Sequence, residues 1–70
     1  MRHKMRYSNL EAEMKRQDIT RGDLAKQLNL TPTTMSLKLN GKAKLTLAEA
    51  IHIKKIVKTD IPLEDLFHAS

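Results

Sequence analysis

The residues best equipped for chemistry in this 70-residue chain lie between Arg21 and Lys44. Thr31, Thr33, Thr34 and Ser36 crowd hydroxyls into one short stretch, and Leu37, Lys38, Asn40, Lys42 and Lys44 follow. Hydroxyls at a helix start can donate to phosphate oxygens, and threonine methyls can touch an apolar base edge. That is chemistry for holding a polyanion, not for breaking a bond. No converging catalytic site is written here. The chain has no cysteine nucleophile, no glycine-rich phosphate loop and no H-E-x-x-H, and His3, His52 and His68 lack metal-ligand spacing. His52 reads as a half-buried or surface helix residue. No enzyme activity, metal, cofactor or small-molecule ligand is expected.

The elements that must position these residues run from Thr20 to Gly41, TRGDLAKQLNLTPTTMSLKLNG. Thr20 stands three residues before Asp23, the spacing of a box that caps a helix start. Leu24, Ala25 and Leu28 then repeat at helical spacing and form one apolar stripe. Asn29-Leu30 is the turn, Thr31 caps a second helix, and Pro32 fills its first position, where a missing N–H costs nothing. Met35 and Leu39 lie four apart on that helix, which stops at Asn40-Gly41, where glycine is free to adopt a left-handed conformation.

This stretch resembles the helix-turn-helix of Cro/cI-type (XRE-like) phage regulators. The match rests on Ala25 as the small crossing residue, Leu28 and Leu30 flanking the turn, and Asn40-Gly41-Lys42 closing the second helix. Asn29 departs from the pattern, standing where the family usually has glycine. Asparagine also tolerates positive φ, so the turn is expected to survive at a small cost. The resemblance implies an all-α, compact, five-helix lambda-repressor-like DNA-binding domain with the motif in helices 2 and 3. It places the helix at 31–40 in a major groove, with Thr33 and Leu37 where the family reads base edges. It also puts Arg21, Asn40, Lys42 and Lys44 beside phosphates.

Composition agrees with a small nucleic-acid binder. Residues 1–44 hold ten Lys/Arg and four Asp/Glu, giving +6, whereas residues 45–70 hold three and four, giving −1. The basic excess therefore coincides with the motif. Without cysteine, disulfides and thiolate metal sites are excluded. Tyr7 and Phe67 are the only aromatics, so the core must be aliphatic. Nothing approaches a membrane span or a secretory h-region, and a cytoplasmic protein is expected.

Outside the motif, residues 1–7 read as a basic flexible arm and residues 8–70 as the helix-turn-helix domain. MRHKMR is either a frayed tail, with a second possible start at Met5, or an arm that touches phosphates or a minor groove. Ser8 and Glu11 have capping-box spacing for a first helix reaching about Gln17, with Leu10 and Met14 inward and Glu11 and Lys15 paired. Ile19 is expected beneath the second helix. Arg21 lies in the first turn of its helix, where a cation opposes the positive helix end and an external anion would relieve the conflict. Thr46 and Glu49 cap a fourth helix whose apolar positions, including Leu47, Ile51 and Ile53, spread over roughly 220° at 100° per residue. That is about twice what an edge helix needs. Leu63, Leu66 and Phe67 give a short fifth helix its apolar face.

Two functional readings follow. One is a sequence-specific, double-stranded-DNA-binding transcriptional regulator, a homodimer joined through helix 4 with Leu63 and Phe67. The other is a small phage-type modulator or antirepressor that binds a larger repressor protein. It draws on the surplus apolar surface and on a reading helix with no Arg, Gln or Asn in its exposed middle. Leu37 itself has two readings: contact with a thymine methyl, or burial if the helix rotates.

Overall fold

Three of the five helices begin on a threonine whose hydroxyl takes up an orphan backbone N–H. The computed structural model describes residues 5–69, with α1 Ser8–Arg16, α2 Arg21–Leu28, α3 Pro32–Leu39, α4 Leu47–Val57 and α5 Leu63–Leu66. Thr20 and Asp23 form a reciprocal capping box at α2, Thr46 and Glu49 form another at α4, and Thr31 accepts from the Thr34 N–H at α3. Among the described residues there is no strand.

Helix ends are as well determined as the starts. Asn29 takes φ 61°, and the N–H groups of Asn29 and Leu30 return to the carbonyls of Lys26 and Ala25. Gly41 takes φ 81°, with the N–H groups of Gly41 and Lys42 bonded to the carbonyls of Lys38 and Leu37. Both are Schellman closures, which satisfy carbonyls a helix end would otherwise orphan. Asp18 ends α1 in the same way, and Lys58 ends α4 at φ 49°. The left-handed conformation expected of Asn29 is therefore present. Asn29→Ala is expected to cost about 1 kcal/mol and Asn29→Gly to be neutral or stabilising, because alanine tolerates positive φ least. Thermal melting of the two variants checks this.

The entry to α1 differs from expectation. Its N-cap is Tyr7, with no side-chain cap bond, so the Ser8–Glu11 capping box does not start the helix. Long-range contacts set the boundary instead. Tyr7 packs its ring edge-on against Phe67 at a centroid distance of 5.3 Å, and the Arg6 N–H donates to the Leu39 carbonyl at 2.9 Å. Met5 is buried in the core. Residues 5–7 of the expected arm thus belong to the packed body. Residues 1–4, the remainder of that arm and the site of His3, lie outside the described residues.

One aliphatic core takes Leu10 and Met14 from α1, Leu24 and Ala25 from α2, Met35 and Leu39 from α3, and Ile53, Val57 and Leu66 from α4 and α5. Ile19, Leu28 and Leu30 are half-buried against it. The first and last helices meet, since α5 packs on both α1 and α4 and Asn9 donates to the Asp65 carbonyl at 2.9 Å. Gln17 donates to the Val57 carbonyl, tying α1 to the end of α4. α5 does not cover all of α4. Leu47 remains 67% and Ile51 41% exposed, beside a groove lined by Tyr7, Leu45, Leu63 and Phe67. No helix among the described residues is long and apolar enough to cross a membrane.

Candidate functional site

Met35 and Leu39 are fully buried, and this sets the rotation of α3. With 3.6 residues per turn, Thr33, Ser36, Leu37 and Asn40 then fall at i, i+3, i+4 and i+7 on a single stripe. Together with Pro32 and Lys42 they line one open groove. Leu37 is 41% exposed, so the rotation that would bury it does not occur. Leu37 thus stands among hydroxyl, amide and ammonium side chains in this groove and offers an apolar contact surface to a ligand.

The other expected residues divide. Thr31 and Thr34 bond to each other, hydroxyl to hydroxyl at 2.9 Å, with Thr31 also capping the helix. Thr34 is half-buried and Thr31 exposed. Lys38 does not lie on the outward stripe. Its side chain is only 14% exposed, and its ammonium donates to the Lys44 carbonyl at 2.8 Å and pairs with Glu49 at 3.1 Å. That charge is spent inside the protein, bracing the α3–α4 bend. Lys42 and Lys44 are exposed on that bend.

Arg21 resolves its electrostatic conflict internally. Its guanidinium reaches across to the Asn40 side-chain carbonyl at 2.9 Å, at the C-terminal end of α3, where a cation is favourable. The argument for an external anion from its place in α2 therefore falls. The hydrogen bond uses one of five donors on the guanidinium and orients the Asn40 amide beside the groove.

Sequence reading holds Arg6 only as part of a flexible basic arm and does not place it at the site. A methyl group placed on Gly41 would lie 2.7 Å from Arg6 Cδ and 3.0 Å from its Nη1, so the Arg6 side chain rests on the Gly41 turn, next to Lys42. Nothing local signals this, because the two residues are 35 positions apart. Substitution of Gly41 meets both a strained φ and this neighbour.

Carboxylates near the site are committed to structure. Burial pushes the Glu49 carboxyl up, but the Thr46 N–H and the Lys38 ammonium outweigh it and hold the group below its ordinary value. The Thr20 backbone N–H lowers Asp23, and the Arg16 guanidinium lowers Glu13. Carboxyls depressed by folding add stability above their unfolded values, about 3.9 for Asp and 4.3 for Glu. That contribution disappears as pH falls through the lower folded values. The melting temperature is expected to hold between pH 5 and 7 and to drop below about pH 4, which calorimetry across that range checks.

Among the described residues, no three His, Cys, Asp or Glu side chains converge to hold a metal ion. A comparison of the chain with known protein families, with curated proteins and with solved structures finds no match.

Proposed function

We propose that this protein is a DNA-binding transcriptional regulator of Cro/repressor type. In this reading α2 and α3 form a helix-turn-helix of a lambda-repressor-like domain, and α3 lies in the major groove of double-stranded DNA. The observation that carries the reading is the Thr33, Ser36, Leu37 and Asn40 stripe, outward-facing and bordered by the exposed Lys42. Hydroxyls and an amide beside one exposed leucine suit a groove edge that offers polar atoms and thymine methyls. Arg21, Lys42 and Lys44 supply or orient groups for phosphates, Thr31 lies at the helix start facing the same partner, and Thr34 and Lys38 act as scaffold. Anisotropy of a labelled duplex tests the reading: protein alone at low salt is expected to bind it, and no binding contradicts the proposal.

One reading helix buries too little surface for tight specific binding, and two copies on half-sites about 34 Å apart supply the remainder. The exposed Leu47 and Ile51, beside Leu63 and Phe67, are the proposed contact between copies. Leu47→Glu is expected to leave the melting temperature of the single chain unchanged and to shift sedimentation at micromolar protein from dimer to monomer. An unchanged sedimentation profile would remove this surface from the account.

The same exposed leucine and isoleucine support a second reading, in which a larger repressor covers them and the protein acts as a modulator or antirepressor. Uniform weak DNA binding, tightened by a partner repressor, distinguishes it.

A further inference from the structure

We propose that Arg6 and Lys42, gathered at the Gly41 turn, grip a single backbone phosphate of duplex DNA at the end of α3; this rests on the reading that α3 lies against DNA. Arg6 is held there by two independent constraints. Its N–H donates to the Leu39 carbonyl at 2.9 Å, and its side chain rests on the bare Cα of Gly41. The aliphatic stem and the guanidinium Nη1 both lie against Gly41, the residue that precedes Lys42.

The pairing of charges singles these cations out. Lys15 pairs with Glu11, Arg16 with Glu13, and Lys38 with Glu49. Among the described residues, Arg6 and Lys42 have no carboxylate partner, although two cations at one turn repel each other. Lys26, Lys54, Lys55 and Lys58 also lack one, but they lie on α2 or at the far part of α4 and do not line the groove; Lys44 lacks one too, two residues beyond Lys42 on the same bend. The partial negative charge of a helix C-terminus favours cations and offers a purely structural explanation. Here that explanation is weakened, because the Gly41, Lys42 and Ala43 N–H groups already bond the carbonyls of Lys38 and Leu37.

Those bonds have a second consequence. The N–H groups of Gly41, Lys42 and Ala43 are occupied, so at this turn side chains must supply the donors. A guanidinium offers two parallel N–H groups to a phosphate and an ammonium offers a point charge, which together suit one phosphodiester. Arg21 is bonded to the side chain of Asn40, the residue before Gly41, at the same end of α3.

The test is duplex binding by anisotropy over a salt series for the full chain and for Arg6→Gln, Arg6→Lys, Lys42→Gln and the Arg6→Gln/Lys42→Gln pair. Each glutamine variant is expected to lose about tenfold in affinity on every duplex tried, and removal of both cations to flatten the salt slope by about 0.9 for each phosphate they neutralise. The double variant is expected to lose less than the product of the singles, because both act on one phosphate. Arg6→Lys keeps the slope and loses part of the affinity. Should Arg6→Gln fail to fold by circular dichroism, Lys42→Gln and the slope of Arg6→Lys carry the test. If the full chain binds DNA but the folded glutamine variants keep its slope and affinity, the clamp is overturned and the DNA reading stands. If the full chain binds no duplex, both fall. Displacement of DNA by millimolar inorganic phosphate at matched ionic strength would overturn the assignment to the DNA backbone.

Discussion

Leu39→Ala is expected to remove a large part of the molecule's stability, while Leu37→Ala, two residues away on the same helix, leaves it nearly unchanged. Leu39 is fully buried between the helices, and its carbonyl anchors the Arg6 N–H. Removing such a side chain costs about 2.7–5.0 kcal/mol, the spread reflecting how far the cavity can collapse. A chain of this length holds only about 4–10 kcal/mol in total. The loss is therefore a large part of the whole. Leu37 is already 41% exposed, so its truncation forfeits little burial, and a cost below about 1 kcal/mol is expected. Urea titration followed by circular dichroism measures both. Equal costs for the two variants would mean that Leu37 belongs to the core, and its place on the reading face would be lost.

Salt is expected to act on DNA binding far more strongly than any single substitution. One phosphate at the Arg6–Lys42 pair, one at Lys44 and one at Arg21 in each copy of a dimer give about six in all, and log K then falls with log salt at a slope near −5. Raising salt from about 50 to 200 mM accordingly weakens binding by about a thousandfold. Anisotropy titration reads this directly. A slope near zero would mean that Arg6, Lys42 and Lys44 face solvent in the complex, and the polar stripe of α3 would need another partner.

The parts of this fold that could be read from sequence are those decided within a few residues. Thr20 with Asp23, Thr31 with Pro32, and Thr46 with Glu49 specify helix starts because a hydroxyl reaches an N–H only three residues on. Asn29 and Gly41 specify helix ends because few residue types accept positive φ. Pairings across long loops were not legible. Ser8 had capping-box spacing, yet the α1 entry is set by Tyr7 on Phe67 and Arg6 on Leu39, contacts sixty and thirty-three residues apart. Lys38 has the type and position of a phosphate ligand. Only the approach of α4 shows that Glu49 and the Lys44 carbonyl claim it. Arg21 misled in the opposite sense, since its partner is Asn40 on the neighbouring helix. The candidate site thus changes membership: Lys38 moves to the scaffold and Arg6 enters, while the Thr33, Ser36, Leu37 and Asn40 stripe keeps its place.

The surplus apolar surface of α4 follows the same logic. Periodicity indicated that too many positions were apolar, and packing decides which ones stay outside. Ala50, Ile53 and Val57 face the core, whereas Leu47 and Ile51 do not. A small domain leaving two large aliphatic side chains beside an apolar groove has a surface suited to a second protein chain.

The central claim is that the exposed face of α3 reads DNA sequence. Selection of bound duplexes from a random pool, with the protein alone and again with Leu37→Ala, tests it most directly. The account predicts enrichment of one short inverted repeat, with a changed base preference for the variant. Recovery of no preferred sequence by the protein alone, or of the same sequence by the variant, would contradict it.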